Sequence, residues 1–124
     1  MSEFKHVDKS AMLHLLEHAG DAGKDLIKSL LQLYESNTPG ILSKMKEDID
    51  SSSMGDLCQQ AHSLKSSSMS LGAFKMAEVS ASIENVLMKK QNREIEFFQE
   101  KLNELNQLFP ITIEELEQVA KNMV

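Results

Sequence analysis

Apolar residues recur at helical spacing along almost the whole chain, and this pattern restricts the fold more than any other feature of the sequence. The clearest example is a set of positions three or four apart: Ile95, Phe98, Leu102, Leu105 and Phe109. A helix turns once in about 3.6 residues, so such positions share one face. We find no alternation of apolar and polar residues over the length of a strand. The sequence therefore predicts an all-α protein.

The predicted helices are joined by short polar turns. A first helix over residues 9–18 has Asp8 as its N-cap and Gly20 as a left-handed terminator. Other helices are predicted over residues 56–71, 73–90, 94–109 and 113–123. Gly72 either ends the helix before it or marks a close approach of two segments. Long helices and short turns favour an antiparallel up-and-down four-helix bundle with short additional N- and C-terminal helices.

The two prolines decide how many helices there are. Around Pro39, a single apolar stripe stays within a sector of roughly 80°: Ile27, Leu31, Tyr34, Ile41, Met45 and Ile49. The stripe favours one kinked helix over residues 22–50, and the alternative is two separate helices. Pro110 is followed by Thr112 and Glu115, which match a capping box, so a new helix is predicted there.

Composition limits the classes of function. The 124 residues are in the range of one domain, which we expect to span residues 1–124. A net charge of −6 without a basic cluster argues against nucleic acid. No apolar run reaches the roughly 20 residues of a membrane span. The single Cys58 and an N-terminus without a secretory signal pattern predict a soluble, cytoplasmic protein.

The helix over residues 56–71 carries an exposed histidine. Its inward stripe consists of Leu57, Ala61, Leu64, Ser68 and Leu71. His62 lies roughly 140° from the centre of that stripe, so its ring is expected to reach solvent. Its neighbours on the outer face are small or neutral: Cys58, Gln59, Ser63, Ser66, Met69 and Ser70. Lys65 is the only charged residue between Leu57 and Phe74, and such a face suits docking of another protein.

Residues 61–73 carry a motif, Ala-His-Ser-Leu-Lys-Ser-Ser-Ser-Met-Ser-Leu-Gly-Ala. It resembles the signature of histidine-containing phosphotransfer (HPt) domains, in which Ala-His-x-Leu-Lys-Gly-Ser-Ala is followed by Leu-Gly-Ala. Met76-Ala77 and Ile83-Glu84 also fall where the family has an apolar-Ala pair and an apolar-Glu pair. The resemblance covers about residues 21–109, with accessory helices over 9–18 and 113–123. One departure is Ser66, where the family usually has Gly.

The resemblance implies roles for three side chains. His62 would be the phosphoacceptor, and Lys65, one turn along, would offset the charge of the phosphoryl group. Glu84 would accept a hydrogen bond from Nδ1–H of the imidazole and so leave Nε2 free. The alternative for Glu84 is a solvated carboxylate on the helix surface. Ser66 would either narrow the set of partners or offer the phosphate a hydroxyl.

The function implied is that of a stoichiometric carrier in a multistep phosphorelay. A receiver domain would donate its aspartyl phosphate to His62, and a second receiver would take the group onward. A hybrid sensor kinase is a further expected partner, and the chain is expected to be a monomer. No ATP-binding loop is visible, so we expect no enzyme activity and no cofactor, with Mg²⁺ supplied only by the receiver.

The sequence leaves three other interpretations open. A helical adaptor could have this fold and hold partners without phosphate, in which case His62 is a plain surface histidine. His14, Glu17 and His18 match the His-x-x-Glu-His spacing of inverted zinc peptidases, although a short terminal helix is a poor place for a substrate cleft. Cys58, one turn before His62, could act as a nucleophile, but the sequence supplies no orienting group.

Overall fold

The computed structural model describes residues 4–123, which are helical with no strand. In order along this part of the chain are α1 (Ser10–Ala19), a 3₁₀ turn (Gly20–Ala22), α2 (Gly23–Asp50), α3 (Met54–Leu71), α4 (Phe74–Met88) and α5 (Ile95–Asn122). The predicted all-α fold is confirmed. Within the described residues, no helix combines the length and the apolarity needed to cross a bilayer.

Four of the helices form a ring around one core. Helix α2 packs against α3 and α5, and α4 packs against the same two helices. The short connections make successive helices antiparallel, as in an up-and-down bundle. Each helix contributes a fully buried side chain to the core: Met45, Leu57, Leu64, Ile83 and Leu105. Helix α1 packs outside the ring, against α2 and α3.

Helix α2 continues through Pro39, as its apolar stripe predicts. Pro39 itself is exposed, whereas Thr38 beside it is buried and its hydroxyl donates to the carbonyl of Tyr34 at 2.6 Å. One position differs from the prediction: Leu42 is buried, while Ile41 is only partly buried. The buried face is therefore rotated slightly toward Leu42 after the proline.

Helix α5 also continues through its proline, so the break predicted at Pro110 is wrong. A separate C-terminal helix was predicted over residues 113–123, but residues 113–122 are the last turns of α5, and Met123 is its C-cap. Thr112 does not cap a new helix, because its hydroxyl donates to the carbonyl of Leu108 at 2.7 Å. The buried stripe runs on past the proline at helical spacing: Phe98, Leu102, Leu105, Thr112, Leu116 and Val119. Packing of this stripe against the core outweighs the backbone hydrogen bond that Pro110 cannot make.

Residues 4–9, which we call the N-terminal strap, lie against the turn between α3 and α4. The backbone N–H of Asp8 donates to the carbonyl of Gly72 at 2.7 Å, and Val7 is buried. Gly72 has a φ of +81°, and a Cβ there would lie 2.1 Å from the carbonyl oxygen of Asp8. Gly72 therefore both ends α3 and permits the close approach of the strap.

Candidate functional site

Helix α3 presents His62 to solvent because its opposite face is locked into the core. All five residues of its predicted inward stripe are buried: Leu57, Ala61, Leu64, Ser68 and Leu71. The hydroxyls of Ser68 and Tyr34 form a buried hydrogen bond of 2.7 Å that fixes α3 to α2. Burial raises the pKa of Tyr34 to about 12, with an opposing effect from Ser68, so the phenol keeps its proton. The His62 side chain is 61% exposed on the far side of the helix.

The imidazole of His62 is held by a carboxylate on the neighbouring helix. Nδ1 of His62 lies in hydrogen-bond contact with Oε2 of Glu84, which is on α4. The Glu84 side chain is only 7% exposed. This geometry corresponds to the orienting role that the resemblance implies for Glu84 and departs from a freely solvated carboxylate. The contact aims Nε2 away from α4.

The charge state of Glu84 follows from its partners. Nζ of Lys65 donates to Oε1 of Glu84 at 2.5 Å, and this hydrogen bond is the largest cause of a lowered Glu84 pKa. Burial opposes the lowering, and the hydrogen bond from His62 adds to it. Glu84 is therefore an anion at neutral pH and can only accept hydrogen bonds. In the neutral imidazole of His62, Nδ1 must then carry the proton, which leaves the lone pair on Nε2.

Lys65 lies one turn beyond His62 and is partly buried, with 28% of its side chain exposed. Its ammonium group is already engaged by Glu84 in the free protein. An ammonium has three donors, so further hydrogen bonds remain open to it. One connected unit across α3 and α4 is thus formed by His62, Glu84 and Lys65. In this unit the carboxylate of Glu84 lies between the imidazole of His62 and the ammonium of Lys65.

In a comparison with family models, the Hpt domain model matches residues 29–121. The chain belongs to the Hpt domain family. Hpt domains are helical bundles that act as phosphocarriers rather than enzymes and interact with receiver domains. The match extends past Phe109, where the sequence resemblance ends. Searches of curated proteins and of solved structures find no match to the chain.

The outer face of α3 in this Hpt domain is largely accessible. Five of its six predicted docking residues are exposed: Gln59, Ser63, Ser66, Met69 and Ser70. The sixth, Cys58, is half-buried. The Ser70 hydroxyl donates to the carbonyl of Ser66 at 3.0 Å, which takes its donor out of the solvent-facing surface. The face therefore offers small side chains and one large apolar side chain, Met69.

Two grooves flank α3, and sequence reasoning did not find either. One of about 810 Å³ lies between α1, α3 and α4, and Lys65, Met69 and Phe74 are among its lining residues. The other, of about 320 Å³, lies between α2 and α3 and includes Leu30 and Leu33. Leu33 is an exposed apolar residue next to the buried stripe of α2. Leu33 is not needed for the buried stripe of α2, and this extra apolar residue was the sequence signal that could have indicated the groove.

The thiol of Cys58 is not arranged as a nucleophile. Burial, and then the charge of Glu84, raise its pKa, so the reactive thiolate is disfavoured. The proton-bearing Nδ1 of His62 faces Glu84, so this nitrogen serves the carboxylate and not the thiol. The structure thus gives no support to the cysteine interpretation.

The zinc-peptidase spacing in α1 brings two rings together but no complete ligand set. The rings of His14 and His18 are in contact, with centroids 4.2 Å apart, and both residues and Glu17 are exposed. Among residues 4–123, no group of three or more His, Cys, Asp or Glu side chains is placed to hold a metal ion. Two neighbouring imidazoles on an open helix do not form an enclosed catalytic site.

A second histidine–glutamate pair escaped sequence reasoning altogether. Nδ1 of His6, in the N-terminal strap, lies 2.5 Å from Oε2 of Glu115 on α5. The backbone N–H of His6 also donates to Oε1 of Glu115, at 3.0 Å. The two residues are 109 positions apart, so no local pattern could have indicated the pair. Glu115, which the sequence assigns to a capping box, ties the strap to the bundle instead.

Proposed function

We propose that this Hpt domain relays a phosphoryl group between receiver-domain aspartates, with His62 as the phosphoacceptor. One observation carries the proposal: the His62 side chain is 61% exposed while its Nδ1 contacts Glu84. A nucleophile for phosphoryl transfer needs an accessible lone pair and a fixed direction. The exposed Nε2 of His62 has both.

The proposed reaction needs no general base on this chain. The lone pair of Nε2 attacks the phosphorus of a receiver's aspartyl phosphate. A P–N bond forms, the P–O bond to the aspartyl carboxyl breaks, and the carboxylate leaves with the electron pair. The N–H at Nδ1 of His62 keeps its hydrogen bond to Glu84. The negative charge of Glu84 stabilises the positive charge that develops on the ring. A second receiver aspartate reverses these steps and regenerates the free imidazole.

Lys65 has two roles in the proposal. It neutralises Glu84, and its remaining donors offset part of the charge of the incoming phosphoryl group. Transfer of this kind depends mainly on positioning and electrostatics, so one ammonium beside the acceptor is a useful complement to the receiver. Mg²⁺ is expected to arrive with the receiver, and no resident cofactor is assigned to this chain.

Partners would dock on the uncharged face of α3. The docking residues proposed are Cys58, Gln59, Ser63, Ser66, Met69 and Ser70, and the two grooves beside α3 extend the surface. The small side chains among them, Ser63, Ser66 and Ser70, let a receiver bring its aspartate close to Nε2 of His62. The partners proposed are response-regulator receivers and a hybrid sensor kinase, with this chain acting as a cytoplasmic monomer.

Transfer of labelled phosphate tests the proposal. Candidate receivers carrying ³²P-aspartyl phosphate are incubated with the wild-type chain and with His62→Gln. We expect the wild type to acquire acid-labile, base-stable label, as a phosphohistidine does, and His62→Gln to acquire none. A labelled His62→Gln chain would refute the proposal.

The controls also separate the two alternatives. His6→Gln and His18→Gln should each accept label like the wild type. An adaptor that works without phosphate would bind receivers in a pull-down but leave the wild-type chain unlabelled. The zinc-hydrolase alternative requires stoichiometric zinc in the purified protein, and metal analysis finding none would remove it.

A further inference from the structure

A phosphoryl group on Nε2 of His62 brings more negative charge than the surrounding side chains balance. A phosphoryl group of this kind carries up to about two negative charges at neutral pH and three strong acceptor oxygens. The ammonium of Lys65 is the cation beside His62, and it is already shared with the Glu84 carboxylate. Neutral hydrogen-bond donors near Nε2 therefore matter more here than they would beside an unpaired lysine.

Ser66 offers a neutral donor on the same face as His62. It follows His62 by four residues in α3, so the two side chains are neighbours on one face, with Cβ atoms roughly 5–6 Å apart. In a helix the Cα–Cβ bond tilts toward the N-terminus, which leans the Ser66 hydroxyl toward His62. Ser66 is exposed, so a phosphoryl group can reach it.

The hydroxyl of Ser66 is also free, unlike others on the same helix. Ser67 donates to the carbonyl of Leu64 at 3.2 Å, and Ser70 donates to the carbonyl of Ser66 at 3.0 Å. Within residues 4–123, the Ser66 hydroxyl makes no hydrogen bond to another protein group. It can therefore turn toward a new acceptor without giving up an existing partner. The glycine usual at this position in the family would offer no side-chain donor at all.

We propose that the Ser66 hydroxyl donates a hydrogen bond to a phosphoryl oxygen carried on Nε2 of His62. The inference rests on the proposed function and adds a phosphoryl-binding residue to it. The contact exists only in the phosphorylated protein, so it stabilises that state selectively. The equilibrium between a phosphorylated receiver and this Hpt domain should consequently lie further toward the Hpt domain than it would with glycine at residue 66.

The equilibrium constant for transfer from receiver to Hpt domain tests the inference. Docking contacts change forward and reverse rates together and leave this constant unaltered, so it isolates the phosphoryl contact. We expect Ser66→Ala and Ser66→Gly each to lower the constant roughly 3- to 10-fold, the range of a partly solvated hydrogen bond to a charged group. Ser66→Thr, which keeps a hydroxyl, should stay near the wild-type value.

Ser67→Ala is the matched control, because its hydroxyl is already committed to the α3 backbone, and it should leave the constant unchanged. The constant is measured by rapid quench, before the phosphorylated receiver hydrolyses, and circular dichroism checks that each variant folds. A constant within twofold of wild type for Ser66→Ala would overturn the inference, as would an equal drop for Ser67→Ala. If the wild-type chain takes no label on His62, the proposed function itself fails, which is a distinct result.

Discussion

The molecule contains two histidine–glutamate pairs of similar geometry in very different surroundings. His62 and His6 each place Nδ1 against a glutamate, Glu84 and Glu115 respectively. The His62 side chain is 61% exposed on an almost uncharged helical face, whereas that of His6 is 24% exposed within the N-terminal strap. A carboxylate therefore contacts Nδ1 in both places, and the two histidines differ in how far their side chains are exposed.

The carboxylates differ as much as the rings do. Glu84 divides its oxygens between the imidazole of His62 and the ammonium of Lys65, both of them side chains that can face a partner. Glu115 gives both oxygens to His6, one to the ring and one to the backbone N–H. The first carboxylate contacts the proposed phosphoacceptor, and the second holds a segment of chain in place. The cleft beside His6 is lined by Glu78, Glu104 and Lys75, and Lys75 pairs with Glu78, so the charge of Glu104 is left over to disfavour a phosphoryl group.

Removing each carboxylate should produce the largest contrast between the pairs. We expect Glu84→Ala to slow phosphorylation of the protein by a receiver on the order of 10- to 100-fold, as loss of an orienting partner does for other imidazoles held this way. Glu115→Ala should stay within twofold of wild type. Initial rates with ³²P-labelled receiver measure both variants. Equal rates for the two variants would contradict the different roles assigned to Glu84 and Glu115.

A methyl group at Gly72 tests whether the strap is structural. Gly72→Ala forces a Cβ to within 2.1 Å of the Asp8 carbonyl oxygen at a residue with positive φ. We expect the free energy of unfolding to fall by about 2 kcal/mol or more, because the strap must move. Urea denaturation measures the loss. The mild control Gly40→Ala, at a position where a Cβ meets no atom within 4 Å, should not destabilise α2.

Loss of the structural histidine should have a smaller effect. His6→Gln removes the ring contact to Glu115 but leaves the backbone hydrogen bond in place. We expect the free energy of unfolding to fall by about 1 kcal/mol, since the pair is only partly buried. His62→Gln should change this free energy less, because the His62 ring is mostly in solvent. Denaturation curves showing the reverse order would contradict the assignment of His6 to structure and His62 to chemistry.

The smallest expected effect is a change in the pKa of Glu84. Its pKa is lowered chiefly by Lys65, so its contribution to stability is fully present above the ordinary glutamate pKa and is lost as the pH falls through the lowered value. Lys65→Met should raise the Glu84 pKa, because burial then acts with less opposition. A carboxyl ¹³C NMR titration measures the change. Lys75→Met, which removes the partner of Glu78, should leave the Glu84 titration where it is.

Most of the fold was predictable because apolar stripes report which face of a helix is buried. The five stripe residues of α3 are all buried, and α2 passes through Pro39 as its stripe predicts. Helix α5 was mispredicted because Thr112 and Glu115 match a capping box. The stripe from Phe98 through Val119 keeps helical spacing across Pro110, so the criterion that worked for α2 would have worked for α5. Local capping signals are weaker than the burial of a long apolar face.

The site was predictable only in part. The exposure of His62 follows from the α3 stripe, and the position of Lys65 follows from helical spacing. Glu84 lies 22 residues from His62 on another helix, so its contact depends on the register of two packed helices and was inferred only through the family resemblance. The hydrogen bonds of Glu115 depend on where the chain terminus folds back, for which the sequence carries no periodic signal.

The most direct test of the account is to find which nitrogen carries the phosphoryl group. The ¹⁵N-labelled protein is phosphorylated by a receiver, and long-range ¹H–¹⁵N and ¹⁵N–³¹P NMR correlations are recorded for all four histidines. We predict phosphorus coupled to Nε2 of His62, with Nδ1 still protonated and hydrogen-bonded to Glu84. Phosphorus on Nδ1 of His62, or on His6, would contradict it.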